Sequence, residues 1–228
     1  TASQGSSITF AAPVVVSTSN GVTLLSALKL ADLDGDGRPD LVFSGPGGAP
    51  SYVGWVRNTS TANTINFGTV QSLQVGTDAD AIAVADLDKD GKPDIISINY
   101  TSNNISLLHN TSVVGSISFV NVATLNSSSS CRYTVVGDFD GDGNPDIAVA
   151  ISAGSSISLY RNTFASTGTI SFTTSASLSL ATGNNPSELF LGDVDGDGKV
   201  DLAATNSGSN NLFVFKNIST IGAFSFTS

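Results

Sequence analysis

The chain has 228 residues, 40% of them hydrophobic and 12% charged, with a net charge of −10. This gives enough apolar material for one large all-β domain or two small ones, and it argues against nucleic acid and anionic membrane surfaces as partners, since both need clustered Lys and Arg. No run of eighteen apolar residues occurs, and the N-terminus TASQGSSITF has neither a basic nor an apolar region; no membrane insertion or signal peptide is expected, and the chain reads as a mature or excised segment.

In chain order, SSITFAAPVVV reads as an outer strand over residues 6–16. ALKLAD then leads into the acidic stretch ADLDGDGRPDL at residues 31–41, DLVFSG leaves it, and YVGWVRN and an I-x-F segment, INF, follow. The same parts recur three times. AIAVAD, YTVVGD and LFLGD lead into acidic loops; DIISIN, DIAVAI and DLAATN leave them; ISLLHN, ISLYRN and LFVFKN follow. Each piece is short, rich in apolar or β-branched residues, and bounded by turn formers, which predicts strands and no helix.

Two markers share one period. The first aspartates of the loops, Asp32, Asp86, Asp138 and Asp193, are 54, 52 and 55 residues apart, and the I-x-F phenylalanines, Phe10, Phe67, Phe119, Phe172 and Phe226, are 57, 52, 53 and 54 apart. A four-stranded unit of about 54 residues repeated in tandem predicts a β-propeller of four-stranded antiparallel blades. The units fall at about 24–76, 77–128, 129–183 and 184–228. Small residues before each loop, Ala31, Ala85, Gly137 and Gly192, suit an innermost strand where blades crowd together.

Counted from its first aspartate, each loop has Asp at positions 1, 3, 5 and 9 and Gly at position 6. These are Asp32, Asp34, Asp36 and Asp40; Asp86, Asp88, Asp90 and Asp94; Asp138, Asp140, Asp142 and Asp146; and Asp193, Asp195, Asp197 and Asp201. Alternate side chains of a tightly wound loop can converge on one point, with the position-7 carbonyls of Arg38, Lys92, Asn144 and Lys199 as further ligands. Oxygen-rich, flexible coordination suits Ca²⁺, and no Cys or His stands ready for zinc. An EF-hand would need Glu at position 12, where this chain has Phe43, Ser97, Val149 and Ala204. These loops hold sixteen of the nineteen acidic residues, so four divalent ions would bring −10 to −2. The expectation is four structural calcium sites.

ADLDGDGRPDL, ADLDKDGKPDI, GDFDGDGNPDI and GDVDGDGKVDL, with the I-x-F strands, resemble the FG-GAP or VCBS-type repeats of integrin-α-like propellers. Such repeats are also seen in a fungal propeller lectin and in secreted bacterial proteins. The resemblance covers essentially the whole chain and implies a calcium-binding propeller whose ligand surfaces lie in variable loops outside the motif. The Phe-Gly half of the signature occurs only in INFGT, at Phe67 and Gly68.

Other candidates have simpler readings. His109, the single histidine, occupies the slot held by Arg57, Arg161 and Lys216, a polar strand end. A Ser-His-Asp triad is poorly supplied, and a glycosidase pair would have to come from Asp78, Asp80 or Glu188. Six N-x-[ST] sequons occur, at Asn58, Asn99, Asn104, Asn110, Asn126 and Asn217; three share a slot with Asn162, which is no sequon, and read as turn residues. Trp55, Tyr52, Tyr100, Tyr133 and Tyr160 read as packing aromatics. Cys131 is alone, so no internal disulfide forms; it reads as a small apolar or semi-exposed residue leading into a strand.

Four inner loops against five outer segments leave one strand over. The chain could close on itself, belong to a larger ring, or self-associate through unpaired terminal blades. The function expected is non-catalytic: an extracellular, bacterial, calcium-stabilised module for adhesion to a protein or glycan ligand. A calcium-dependent lectin and an accessory domain of a secreted hydrolytic enzyme are the alternatives.

Overall fold

The computed structural model describes residues 11–18, 22, 24–46, 49–128, 130–165, 168–173 and 178–227. Sixteen strands form four four-stranded antiparallel sheets, and no helix occurs among the described residues. The first sheet is β1 (Ala27–Ala31), β2 (Asp40–Gly45), β3 (Tyr52–Val56) and β4 (Gln71–Gln74). The second is β5 (Ala79–Ala85), β6 (Asp94–Asn99), β7 (Asn104–Asn110) and β8 (Phe119–Asn126). The third is β9 (Cys131–Gly137), β10 (Asp146–Ile151), β11 (Ser156–Tyr160) and β12 (Leu178–Ala181). The fourth is β13 (Pro186–Gly192), β14 (Asp201–Asn206), β15 (Asn211–Asn217) and β16 (Phe226–Thr227). In each, strand order follows chain order, a simple meander.

Burial within the strands reports position in the array. β6 and β10, DIISIN and DIAVAI, are buried at every residue because their sheets have neighbours on both faces, so both read as continuous apolar runs. β13 and β15 in the fourth sheet alternate between buried and exposed, as a sheet with one neighbour must.

Three apolar clusters lie between successive sheets. Val42, Val53 and Trp55 meet Ile95, Leu108 and Phe119 between the first and second, with Trp55 edge-on to Phe119 at 5.0 Å between ring centroids. Ile96, Ile105 and Leu107 meet Ile147, Val149 and Tyr160 between the second and third. Phe139, Ile157 and Leu159 meet Leu189, Leu202 and Phe215 between the third and fourth. No such cluster joins the fourth sheet to the first among the described residues. The array is therefore open, and a closed four-bladed ring is not what the chain forms.

The aromatics pack as the sequence suggests: Tyr160 is buried and donates its hydroxyl to the Asn126 carbonyl across a sheet boundary at 2.8 Å. Cys131 differs from the semi-exposed option, being wholly buried as the first residue of β9. Of the outer strand expected over 6–16, residues 6–10 lie outside the described residues. Residues 11–16 join no strand pair among the described residues; Val16 instead packs with Phe43, Val56, Phe67 and Val70 against the free face of the first sheet.

Candidate functional site

Pairing of the first two strands of each sheet makes the acidic stretch a hairpin connection. Ala31 faces Asp40, Ala85 faces Asp94, Gly137 faces Asp146 and Gly192 faces Asp201. Positions 1 to 8 thus form the loop, and the position-9 aspartate already belongs to the second strand. Its carboxylate ties the hairpin together. One oxygen accepts from the N–H of position 2 (Leu33, Leu87, Phe139, Val194) at 2.8–3.0 Å. The other accepts from the N–H of Asn58, Asn110, Asn162 or Asn217 at 2.7–2.8 Å.

The position-1 aspartate organises the turn. Asp32 accepts from the N–H groups of Gly35, Asp36 and Gly37 at 2.7–3.1 Å, and Asp193 repeats this with Gly196, Asp197 and Gly198. Position 6 has φ between +83° and +87° in every loop (Gly37, Gly91, Gly143, Gly198), a conformation that glycine adopts without steric cost. The position-7 residues Arg38, Lys92, Asn144 and Lys199 enter through their N–H groups, which donate to the position-5 carboxylate at 2.8–3.0 Å.

The carboxylates converge, though not all at once. Oxygens of Asp32, Asp34 and Asp36, and of Asp193, Asp195 and Asp197, lie within 4.8 Å of one another; in the middle loops the converging sets are Asp86, Asp88 and Asp94, and Asp138, Asp140 and Asp146. Like charges resist closer approach of all four; position 9 joins the converging set in the middle loops, and position 5 does so in the outer two. Burial pushes Asp146 up to about 7, helped by the charges of Asp140 and Asp142 and opposed by the N–H groups of Asn162 and Phe139. Burial likewise pushes Asp94 up to about 6 and raises Asp40 and Asp88.

The slot read as a polar strand end proves to be electrostatic. Arg57 reaches Asp34 and Asp36, both at 2.5 Å; Arg161 reaches Asp140 at 2.7 Å and Asp142 at 3.0 Å; Lys216 pairs with Asp195 and, at 3.1 Å, Asp197. His109 Nδ1 lies 3.1 Å from Asp88 and 3.2 Å from Asp94. The sequence signal was available, since four basic residues share one slot in a chain with nine Lys and Arg in all. Each loop still keeps more negative than positive charge.

The asparagine slot was also under-read. Nδ2 of Asn110, Asn162 and Asn217 donates to the position-8 carbonyl of its own loop and to the position-2 carbonyl of the preceding loop, Leu33, Leu87 and Phe139 respectively, all at 2.9–3.1 Å. Among the described residues Asn58 Nδ2 makes only the first of these bonds, to the Pro39 carbonyl. Buried donors engaged twice leave no room for a glycan at Asn110 or Asn217.

Three carboxylates lie outside the loops. Asp78 accepts from the Thr101 hydroxyl, Asp80 faces Arg132 at 3.9 Å, and Glu188 projects from the free face of the fourth sheet.

Comparison with known proteins places this geometry. The FG-GAP-like repeat model matches residues 32–97, 88–149 and 138–204, each match running from one acidic loop to the strand beyond the next. Fifty-three chains of solved structures match the chain. One is the crystal structure of the V. cholerae biofilm matrix protein Bap1, 20% identical over 87% of this chain and 32% of that one, with a TM-score of 0.45. The chain thus spans about a third of that structure's length. No curated protein matches it at a significant level. With matches running through well over half of its length and centred on the hairpins described above, the chain belongs to the FG-GAP-like repeat family.

Proposed function

We propose that the chain is a non-catalytic, extracellular binding or adhesion module: four propeller blades, each fixed by a structural Ca²⁺ in its acidic loop, with variable loops presenting a surface to a protein or glycan ligand. The observation that carries the calcium part is charge left uncompensated at converging oxygens. Four carboxylates per loop face Arg38 and Arg57 in the first, Lys92 and His109 in the second, Arg161 in the third and Lys216 in the fourth. Each loop therefore retains net negative charge among hard oxygen donors, and buried Asn144 Oδ1 has no protein partner.

These residues fit a divalent hard cation. Asp at positions 1, 3, 5 and 9 would hold it with the position-7 carbonyl, and the ion would supply neutralisation that the one or two basic side chains per loop do not complete. Sites on the order of 0.1 to 1 mM suffice outside cells, which is why the compartment proposed is extracellular.

The non-catalytic reading is supported by the commitment of His109 to Asp88 and Asp94, and of Asp80 to Arg132. Trp55 is 5% exposed and pressed on Phe119, so a glycan ligand, if the module is a lectin, would be read by exposed loops instead. The experiment is thermal unfolding after chelation: EDTA should lower the melting temperature and calcium should restore it. An unchanged melt with metal removal confirmed would sink the structural-calcium reading.

A further inference from the structure

The second acidic loop departs from the other three at one atom. Elsewhere the position-3 carboxylate is satisfied by the basic slot above it and, in the first and third loops, by a backbone donor as well. Asp34 Oδ2 accepts from Arg57 Nε at 2.5 Å and from the Gly115 N–H at 2.9 Å. Asp140 Oδ2 accepts from Arg161 Nε at 2.7 Å and from the Gly222 N–H at 2.8 Å, and Asp195 Oδ2 accepts from Lys216. Asp88 is wholly buried, yet its Oδ2 accepts no hydrogen bond among the described residues. A buried carboxylate oxygen left in that state is costly, and its lone pairs are open to an electron-pair acceptor.

The group facing that oxygen is the chain's single histidine. β7 returns beside β6 with Leu108 opposite Ile95, which carries the next residue, His109, over the loop. Its Nδ1 lies 3.1 Å from Asp88 Oδ2, without a hydrogen bond between them, and 3.2 Å from Asp94 Oδ1. A ring nitrogen of His109 and one oxygen each of Asp88 and Asp90 lie within 4.8 Å of one another. Metal–nitrogen and metal–oxygen bonds of about 2.0–2.2 Å hold neighbouring ligands about 3 Å apart, which is how Nδ1 stands to Asp88. The slot has the same task in every loop. Arg57 bridges Asp34 and Asp36, Arg161 bridges Asp140 and Asp142, and Lys216 bridges Asp195 and Asp197, always positions 3 and 5. Those side chains bring only N–H donors, whereas a neutral imidazole brings a lone pair. An ion held between that lone pair and Asp88 and Asp90 restores the missing bridge.

We propose that the second loop is a zinc site, with His109 Nδ1, Asp88 Oδ2 and an oxygen of Asp90 as its protein ligands. The inference rests on the reading of the acidic loops as cation sites and gives one of the four a different preferred ion. Imidazole suits zinc and other borderline transition ions, while calcium takes oxygen ligands. The other three slots hold no histidine, and their loops keep calcium. Asp88 and Asp90 belong to both ligand sets, so the second loop holds one ion at a time and zinc displaces a single calcium. Lys92 stands 3.9 Å from Asp90 with its side chain 41% exposed, and Lys89 lies over the Phe164 ring, so neither closes the site.

The test adds zinc in steps to the full chain in excess calcium. Native mass spectrometry should show one zinc bound per chain while the calcium count falls by one. With a single histidine in the chain, the imidazole nitrogens give one pair of resonances in a ¹⁵N spectrum. The Nδ1 resonance should shift with the first equivalent of zinc and not with calcium. His109→Arg installs the residue of the first and third slots, so it should fold and keep its calcium. It should lose zinc affinity by more than about tenfold, the scale on which even groups behind the ligands count. Should that variant fail to fold, the nitrogen spectrum of the unaltered chain decides. Zinc bound with the imidazole unmoved, no zinc bound at one equivalent, several zinc ions bound with equal affinity, or equal affinity in His109→Arg would each overturn the proposal. Failure of the calcium reading shows separately, as a chain that holds no calcium before zinc is added.

Discussion

The third and fourth acidic loops, GDFDGDGNPDI and GDVDGDGKVDL, have nearly the same sequence and the same backbone. Gly141 and Gly143 match Gly196 and Gly198 in positive φ, and the ties from positions 1 and 9 recur in both. Their surroundings differ. Asp140 is 3% exposed while Asp195 faces solvent, and Phe139 is buried while Val194 is not. The fourth sheet stands over the third loop, with Asn217 Nδ2 on the Phe139 carbonyl and the Gly222 N–H on Asp140 at 2.8 Å. The motif therefore dictates the shape of a loop, and the next sheet decides whether that loop is buried.

The largest effect should come from position 2. Phe139→Ala removes a buried ring between the third and fourth sheets and should cost about 3–5 kcal/mol, whereas Val194→Ala should stay within about 0.5 kcal/mol. Urea unfolding of both variants measures the contrast, and equal costs would break it.

A smaller contrast lies in the asparagine slot. Asn162→Ala removes three hydrogen bonds, two through Nδ2 and one through Oδ1 from the Phe164 N–H, and leaves buried carbonyls without donors, for a loss of about 2–3 kcal/mol. Asn58→Ala removes one exposed bond through Nδ2 and one through Oδ1 to the Ser60 N–H, and should cost about 1 kcal/mol. Denaturant midpoints that coincide for the two would show that the inter-sheet bond adds nothing.

The smallest effect concerns pH. Asp94 and Asp146 titrate in the folded chain at about 6 and about 7, above the ordinary aspartate value of 3.8, so the folded form binds their protons more tightly than the unfolded form does. Without metal, their contribution is fullest below the unfolded value and is lost as pH rises through 6 to 7. In EDTA the melting temperature should fall by a few degrees between pH 5 and pH 8, and saturating calcium, which needs the ionised carboxylates, should flatten or invert the slope. A parallel pH dependence with and without calcium would contradict this.

Much of this was legible in the sequence because it is local. Strands, hairpin loops and the conserved spacing of Asp and Gly within each repeat follow from alternation, turn chemistry and period, all within a few residues of one another. The inter-sheet bonds of Asn110, Asn162 and Asn217 span 75–78 residues, and nothing in a turn asparagine announces its distant acceptor. The basic slot lay between these cases. Arg57, His109, Arg161 and Lys216 were visible as a column, but their role depends on the third strand returning beside the second, which sets them over their own loop. Residues 11–16, read as part of an outer strand over 6–16, join no strand pair, and the packing of Val16 on the free face of the first sheet is a tertiary fact.

Calcium in the acidic loops can be counted. Native mass spectrometry of the chain, exchanged into volatile buffer with excess calcium and then desalted, counts the ions directly. Four Ca²⁺ per chain are expected, falling to three when Asp142→Asn and Asp146→Asn are combined in the third loop. A chain that retains no calcium under conditions where it remains folded would contradict it.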